Sequence, residues 1–135
     1  MARISGPLLD RFDLRIDVPA VHYPDLTNTQ PSEASADIAS RVLAARTRQS
    51  ERYVGRAQVI TNADLQGADL EHLINLCPNA ATYFDMAAER LKLTARGYHR
   101  ILRVARTIAD LDDAPQIEKH HLAEAISFRM PQTAP

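Results

Sequence analysis

One amphipathic stretch, from Thr94 to Leu111, constrains the fold of this chain more than any other segment. Its apolar side chains recur at the three-, four- and seven-residue spacings of a helix with one buried face: Tyr98, Ile101, Leu102, Ala105, Ile108 and Ala109. Thr94 stands at the N-cap position, where a hydroxyl can accept a hydrogen bond from a free backbone N–H. Pro115, which cannot continue a helix, follows a run of aspartates. The pattern therefore predicts a long helix against which the rest of the chain packs.

The other face of this segment carries arginines, namely Arg96, Arg100, Arg103 and Arg106. Arg96 falls in the first turn, near the positive end of the helix dipole, where a cation is unfavourable unless an anion lies close by. The arginines can therefore be the solvated face of a surface helix or part of a phosphate site. The physics alone favours the solvated face.

Composition narrows the class of protein. The 135 residues are enough for one domain, and 45% of them are hydrophobic while 5% are aromatic, which favours helices that pack through small and medium side chains. The net charge of −1 gives no overall attraction to nucleic acid or membrane. Cys77 is the lone cysteine, so no internal disulfide can form. No apolar run approaches membrane-spanning length, and we expect a soluble, cytoplasmic protein without membrane contact.

Further helices are expected at about residues 32–56, 69–76, 79–91 and 118–129. Asn79 is the predicted N-cap of the third of these, and the first should bury one stripe: Ile38, Val42, Ala45, Gln49 and Tyr53. The predicted fold is all-α, a bundle of four or five helices over residues 32–130. Residues 131–135 are a tail, and residues 1–31 form an N-terminal arm and linker.

The arm contains an isolated strand pattern. Apolar residues alternate with charged ones from Phe12 to Val18, but no partner strand is visible elsewhere in the chain. Pro19 to Pro31 is rich in turn-forming residues and is typical of a linker. We therefore expect residues 1–31 to be extended and poorly ordered.

Several kinds of catalytic site are excluded. The few glycines do not precede Lys-Ser or Lys-Thr, so the chain has no Walker A phosphate loop. His120 and His121 are adjacent, and on a helix their imidazoles should diverge by about 100°, so we expect no metal site there. Nothing in the sequence supports catalysis by this chain alone.

Two segments together, supported by a third at the C-terminal end, resemble the magnesium-chelatase-like AAA+ ATPases of the YifB/ComM type. Residues 4–14, ISGPLLDRFDL, are similar to the segment that follows sensor 1, where a helix ends and the last strand of the ATPase sheet begins. Residues 94–111 resemble the sensor 2 helix, and residues 121–129, HLAEAISFR, match the family's ending. Thr94 replaces the serine common in the family, a change that preserves the cap. The resemblance implies that the bundle is the C-terminal helical lid and that the isolated strand is the last strand of an upstream ATPase core.

The resemblance also implies two site residues. Arg11 matches the arginine finger, which reaches the γ-phosphate bound by a neighbouring subunit, and Arg96 matches the ATP-binding sensor 2 arginine. The alternatives are local pairing of Arg11 with Asp10, Asp13 or a helix end, and a solvated Arg96. The remaining arginines of the sensor 2 helix are expected to be surface or intersubunit charges.

Cofactors and partners follow from the same resemblance. The full-length protein should use ATP and Mg²⁺ and form a homo-oligomeric ring, expected to be a hexamer, that remodels DNA. This piece lacks Walker A and Walker B, so it should neither bind ATP tightly nor hydrolyse it. Two other functions stay open, a helix-turn-helix-like DNA-binding domain built on residues 79–111 and a protein-interaction bundle.

Overall fold

The computed structural model describes residues 8, 11–18, 20 and 32–129. Within residues 32–129 the chain forms α1 (Ser35–Arg52), a 3₁₀ turn (Asn62–Asp64), α2 (Gly67–Leu73), α3 (Pro78–Leu91), α4 (Ala95–Leu111) and α5 (Lys119–Ser127). Among the described residues the sheet-like contact is one parallel bridge between Leu76 and Ile117. The predicted all-α bundle is confirmed. No described helix has the length and apolar character needed to cross a membrane.

Helix α4 is the centre of the bundle, as its periodicity predicts. It packs against α5 and α1 and buries the predicted stripe from Ile101 to Ala109 in a core shared with α2, α3 and the loops between helices. Phe84 and Leu122 are fully buried in that core. Each such side chain contributes about 1.5–3 kcal/mol relative to an exposed one. The core therefore fixes the position of α4 from several sides.

The start of α4 is set by a cap and a tight corner. The Thr94 hydroxyl accepts a hydrogen bond from the Gly97 N–H at 3.0 Å, which confirms the predicted N-cap. Lys92 adopts a left-handed conformation with φ of 50° and ends α3. The chain therefore turns directly from the end of α3 into the first turn of α4.

The prediction for the start of α3 was wrong. Cys77 is the N-cap, and Pro78 is the first helical residue. Proline suits that position because its missing N–H would have no partner in the first turn and its φ is already helical. Asn79 therefore lies inside the helix.

Three of the five residues in the predicted α1 stripe are buried. Ala45, Gln49 and Tyr53 lie in the interior, whereas Ile38 and Val42 are 44% and 47% exposed. The C-terminal half of α1 packs on α4, and its N-terminal half extends beyond the core.

A buried charge network joins α1 to the C-terminal end of α4. The Asp110 carboxylate is fully buried and accepts hydrogen bonds from the Arg52 guanidinium, from Arg106 Nε at 3.1 Å and from Asn62 Nδ2 at 2.9 Å. Burial alone would raise the pKa of Asp110, but the hydrogen bonds from Arg52 and Asn62 and the charge of Arg106 lower it. The network therefore holds an ionised carboxylate inside the protein.

The sequence-based expectation that Arg106 is a surface charge was wrong. Its residue exposure is 1%, and its guanidinium also donates to the backbone carbonyls of Ala114 and Pro115 at 2.6 and 3.1 Å. Arg106 thus closes the loop after α4 as well as pairing with Asp110. Burial lowers its pKa, while the charge of Asp110 acts to raise it.

The described part of the N-terminal arm, residues 11–18, has no regular secondary structure. Its alternating apolar side chains, from Phe12 to Val18, are 48–84% exposed and have no sheet partner among the described residues. The arm nevertheless contacts the bundle, because the Arg15 N–H donates to the Phe128 carbonyl at 2.9 Å. The predicted tail and, apart from Ala20, the predicted linker lie outside the described residues.

Candidate functional site: an arginine-lined cleft

The two predicted site residues lie in one cleft. The cleft has a volume of about 410 Å³ and is lined by cationic and imidazole side chains from the arm and from α4: Arg11, Arg96, His99, Arg100 and Arg103. Residues 96, 100 and 103 share one face of α4 because their spacing is that of successive helical turns. Arg11 reaches the same face from the arm. Residues 85 positions apart in sequence thus meet at the N-terminal half of α4.

Most of the positive charge in this cleft is uncompensated. Arg100 Nη1 pairs with the Asp13 carboxylate at 2.5 Å. In the part of the chain that the structure describes, the guanidinium groups of Arg11, Arg96 and Arg103 have no hydrogen-bonding or ion-pair partner, and Arg103 Nε is buried without an acceptor. Guanidinium groups held close together repel one another unless an anion lies between them. Their planar forks match phosphate oxygens, so the cleft is suited to a phosphorylated ligand.

The geometry bears on whether Arg11 pairs locally and whether Arg96 is only a solvated cation. The Arg11 side chain has no carboxylate partner among the described residues, although its backbone carbonyl accepts from Arg100. Arg96 is exposed in the first turn of α4, as a solvated cation would be, but it shares its surroundings with other cations. The structure thus brings both residues together, while their roles stay predictions.

Two side chains pack closely against Gly97, the residue after Arg96 in the first turn of α4. A Cβ added there would lie 3.2 Å from the Thr94 hydroxyl and 3.3 Å from Arg129 Nη2. The glycine therefore lets the capping hydroxyl and the Arg129 side chain lie against the first turn of α4. Sequence reasoning missed Arg129 and His99 as neighbours of the predicted site residues, and it considered Asp13 as a partner of Arg11, whereas Asp13 pairs with Arg100. Only the helical spacing of residue 99 from Arg96 could have indicated one of them.

The His120–His121 pair is closer than expected. The two ring centroids are 3.9 Å apart, and one ligand atom each from Asp112, His120 and His121 lies within 4.8 Å of the others. The expected divergence of the two imidazoles was therefore wrong as a geometric argument. However, His121 Nδ1 accepts from the Glu118 N–H at 2.9 Å, so Nε2 carries the proton of the neutral ring.

That protonated Nε2 lies 3.2 Å from an Asp112 carboxylate oxygen. It cannot ligate a metal in this tautomer, because its lone pair is occupied by the proton. Burial, and next the nearby charge of His120, lower the pKa of His121. The 3.2 Å contact places the N-terminal turn of α5 against Asp112 at the end of α4, although His121 Nε2 has no hydrogen bond to the described residues.

Comparison with known proteins identifies the bundle. Residues 32–129 match the family described as magnesium chelatase, subunit ChlI C-terminal. The chain belongs to this family. The matched segment begins just before α1 and ends just after α5, so it contains the whole helical bundle and the Arg96 side of the cleft.

Relatives share both the bundle and the arm. Competence protein ComM of Haemophilus influenzae is 44% identical over 128 residues, which are 94% of this chain and 24% of that protein. Uncharacterized protein YifB of Escherichia coli is 40% identical over the same shares of the two chains. An uncharacterized protein of Mycobacterium bovis is 31% identical over 129 residues, 96% of this chain and 25% of that protein. The chain thus spans about a quarter of the length of these relatives.

Proposed function

We propose that this magnesium chelatase C-terminal domain is the lid of an AAA+ ATPase that presents Arg11 and Arg96 to the phosphates of ATP. The observation that carries the proposal is the cleft itself, where both guanidinium groups lie without an acidic partner among the described residues. ATP and Mg²⁺ would be held mainly by the rest of the protein, because this chain has no phosphate-binding loop.

Phosphoryl transfer can use two arginines that, like Arg11 and Arg96, have no acidic partner among the described residues. Charge spreads over the oxygens of the transferred phosphoryl group, so catalysis depends on positioned cations rather than on a covalent step by the protein. Arg11 would stabilise that developing charge as the arginine finger. Arg96 would contact a phosphate from the first turn of α4, where the helix dipole also favours an anion. The same contact would couple the position of the lid to the state of the nucleotide.

The shared cleft supports one further statement about the ring. Because Arg11 and Arg96 face the same space on the same chain, one nucleotide would contact both of them. If the finger reaches the nucleotide of a neighbouring subunit, Arg96 acts on that nucleotide as well. The site would then be completed only between subunits of a homo-oligomeric ring, for which we expect six copies.

DNA is the proposed substrate of the motor. The support is the name of the Haemophilus influenzae relative, a competence protein. The net charge of −1 gives this domain little attraction for DNA by itself, so DNA contacts would come from elsewhere in the protein. Tight, steeply salt-dependent DNA binding by the 135-residue chain would instead favour the helix-turn-helix alternative.

The test is steady-state ATPase activity of the full-length protein, with and without single-stranded DNA. Arg11→Ala should lower kcat about a thousandfold, the low end of what an arginine finger contributes. Arg96→Ala should lower kcat/KM roughly ten- to a hundredfold, since a hydrogen bond to a charged group is worth about 1.5–3 kcal/mol. Arg90→Ala is the matched control, because Arg90 is an exposed arginine at the end of α3 that does not line the cleft.

Unchanged turnover in both cleft variants would contradict the proposal and leave a protein-interaction bundle as the better reading. Stimulation of the wild type by DNA, with no stimulation of either variant, would support DNA as the substrate.

A further inference from the structure

The cleft contains one arginine that is already occupied. Arg100 Nη1 donates to the backbone carbonyl of Arg11 at 2.6 Å and to Asp13 Oδ1 at 2.5 Å. The Arg100 side chain is only 18% exposed, whereas the Asp13 side chain is 51% exposed. Arg100 Nη1 is therefore already paired within the protein, whereas the guanidinium groups of Arg11, Arg96 and Arg103 have no partner among the described residues.

These contacts fasten the arm close to the predicted finger. The carbonyl that Arg100 holds belongs to Arg11 itself, and the carboxylate belongs to the residue two positions later. A second attachment follows at Arg15, whose N–H donates to the Phe128 carbonyl at the end of α5. Residues 11–15 are thus fixed to α4 and α5 at two places, although they have no secondary structure of their own.

We infer that Arg100 is a positioning residue that holds the arginine-finger segment on the sensor 2 helix. The inference rests on the proposed function, and it adds a residue that does not itself contact the nucleotide. An irregular segment without an anchor samples many backbone conformations, so Arg11 would seldom point at the phosphate. A small displacement of a catalytic group is enough to cost a large factor in rate. The Arg100 contacts make Arg11 and Arg96 move as one unit.

A substitution at Asp13 distinguishes a positioning role of Arg100 from a purely electrostatic one. Removing its carboxylate makes the cleft more positive, which should improve the binding of a phosphate if only charge mattered. It also removes one of the two acceptors that hold Arg100 to the arm, which should harm catalysis if the contact positions Arg11. Removal of the Asp13 carboxylate should therefore raise ATPase activity if only charge matters and lower it if the contact positions Arg11.

The experiment is a kcat and KM comparison in the full-length ATPase. Arg100→Ala should lower kcat about tenfold with little change in KM for ATP, and Asp13→Ala should lower kcat about threefold. The double variant should be no worse than Arg100→Ala, because both substitutions break the same attachment. Arg103→Ala is the matched control for losing one positive charge from the same cleft, and it should act mainly on KM.

A second readout does not depend on turnover. Hydrogen exchange of the Arg15 amide in the full-length protein should become faster in Arg100→Ala and stay as in the wild type in Arg103→Ala. Arg100→Lys keeps the charge but not the planar fork, and it should restore only part of kcat.

Two results would overturn the inference while leaving the proposed function intact. One is wild-type kcat in Arg100→Ala and Asp13→Ala when Arg11→Ala and Arg96→Ala are impaired as the proposed function expects. The other is higher activity in Asp13→Ala, with Arg100→Ala and Arg103→Ala impaired alike, because Arg100 would then act through its charge alone. Wild-type activity in all four of the Arg11, Arg96, Arg100 and Asp13 variants would remove the proposed function itself.

Discussion

The two ends of α4 use the same residue type in opposite ways. At its C-terminal end Arg106 is buried and donates to the Asp110 carboxylate and to two backbone carbonyls. Toward its N-terminal end the guanidinium groups of Arg96 and Arg103 have no partner among the described residues and line an open cleft. One helix thus carries an arginine whose guanidinium is paired within the fold and two arginines whose guanidinium groups have no partner among the described residues.

The difference shows how burial decides what an arginine can do. A buried guanidinium must have its donors paired, because an unpaired buried charge is strongly unfavourable. Arg106 is therefore committed to the fold and cannot bind a ligand. The exposed guanidinium groups of Arg11 and Arg96 have solvent or a ligand as their partners, so they contribute little to stability and are available for an anion. Arg100 lies between these cases, since its contacts attach the arm to α4.

The largest difference in folding stability between the two ends of α4 is expected when the Asp110 carboxylate is removed. Asp110→Ala leaves Arg52 and Arg106 without their shared partner and should cost about 3–5 kcal/mol of unfolding free energy. Arg96→Ala, at the other end of the helix, should change it by less than about 0.5 kcal/mol. Urea denaturation of the 135-residue chain measures both. Equal costs at the two sites would mean that the ends of α4 do not differ as described.

A smaller loss is expected from the cap that starts α4. Thr94→Ala removes the hydroxyl that accepts from the Gly97 N–H and should cost about 1 kcal/mol. Thr82→Ala is the control, because its hydroxyl bonds to the Pro78 carbonyl on an exposed helix surface and caps nothing. Thermal or urea unfolding would show the difference. A cost in Thr94→Ala no greater than in Thr82→Ala would argue that the cleft end of α4 needs no cap.

The smallest expected effect is a pH dependence of folding stability that comes from His121, which lies against the C-terminal end of α4. Because the pKa of His121 is lowered in the folded protein, the unfolded chain binds more protons just below its ordinary value of about 6.5. Stability should therefore be full above about pH 6.5 and should decrease as the pH falls below it. His121→Gln should remove this slope between pH 7 and pH 5, while the exposed His72→Gln should keep it. An identical slope in both variants would assign the pH dependence to other groups.

Much of this fold could be predicted from the sequence, because its strongest signals are local. The three- and four-residue spacing of apolar side chains between Tyr98 and Ala109 marks α4, and Thr94 marks its start. The start of α3 was misplaced because two local signals competed, the N-cap preference of Asn79 and the first-turn preference of Pro78. The partial burial of α1 could not be predicted, since periodicity defines a face but not how far a neighbouring element extends along it.

The candidate site was predictable only in part. Arg11 and Arg96 were singled out through a family resemblance, and no rule of spacing could show that residues so distant in sequence line one cleft. The burial of Arg106 had a usable signal. Arg106 lies four residues after Leu102 and three before Ala109, which places it beside the apolar stripe. It also lies four residues before Asp110, so the two charges are neighbours on the same helix face.

By itself, the sequence determined which segments are helical, where α4 begins and which residue types could meet a phosphate, because these depend on interactions within one or two helical turns. The tertiary structure decided which arginines are buried and paired and which stay available in the cleft. That outcome depends on acceptors brought from other elements, with Arg52 and Asn62 placed around Asp110 at one end and the Arg11 carbonyl and Asp13 placed against Arg100 at the other.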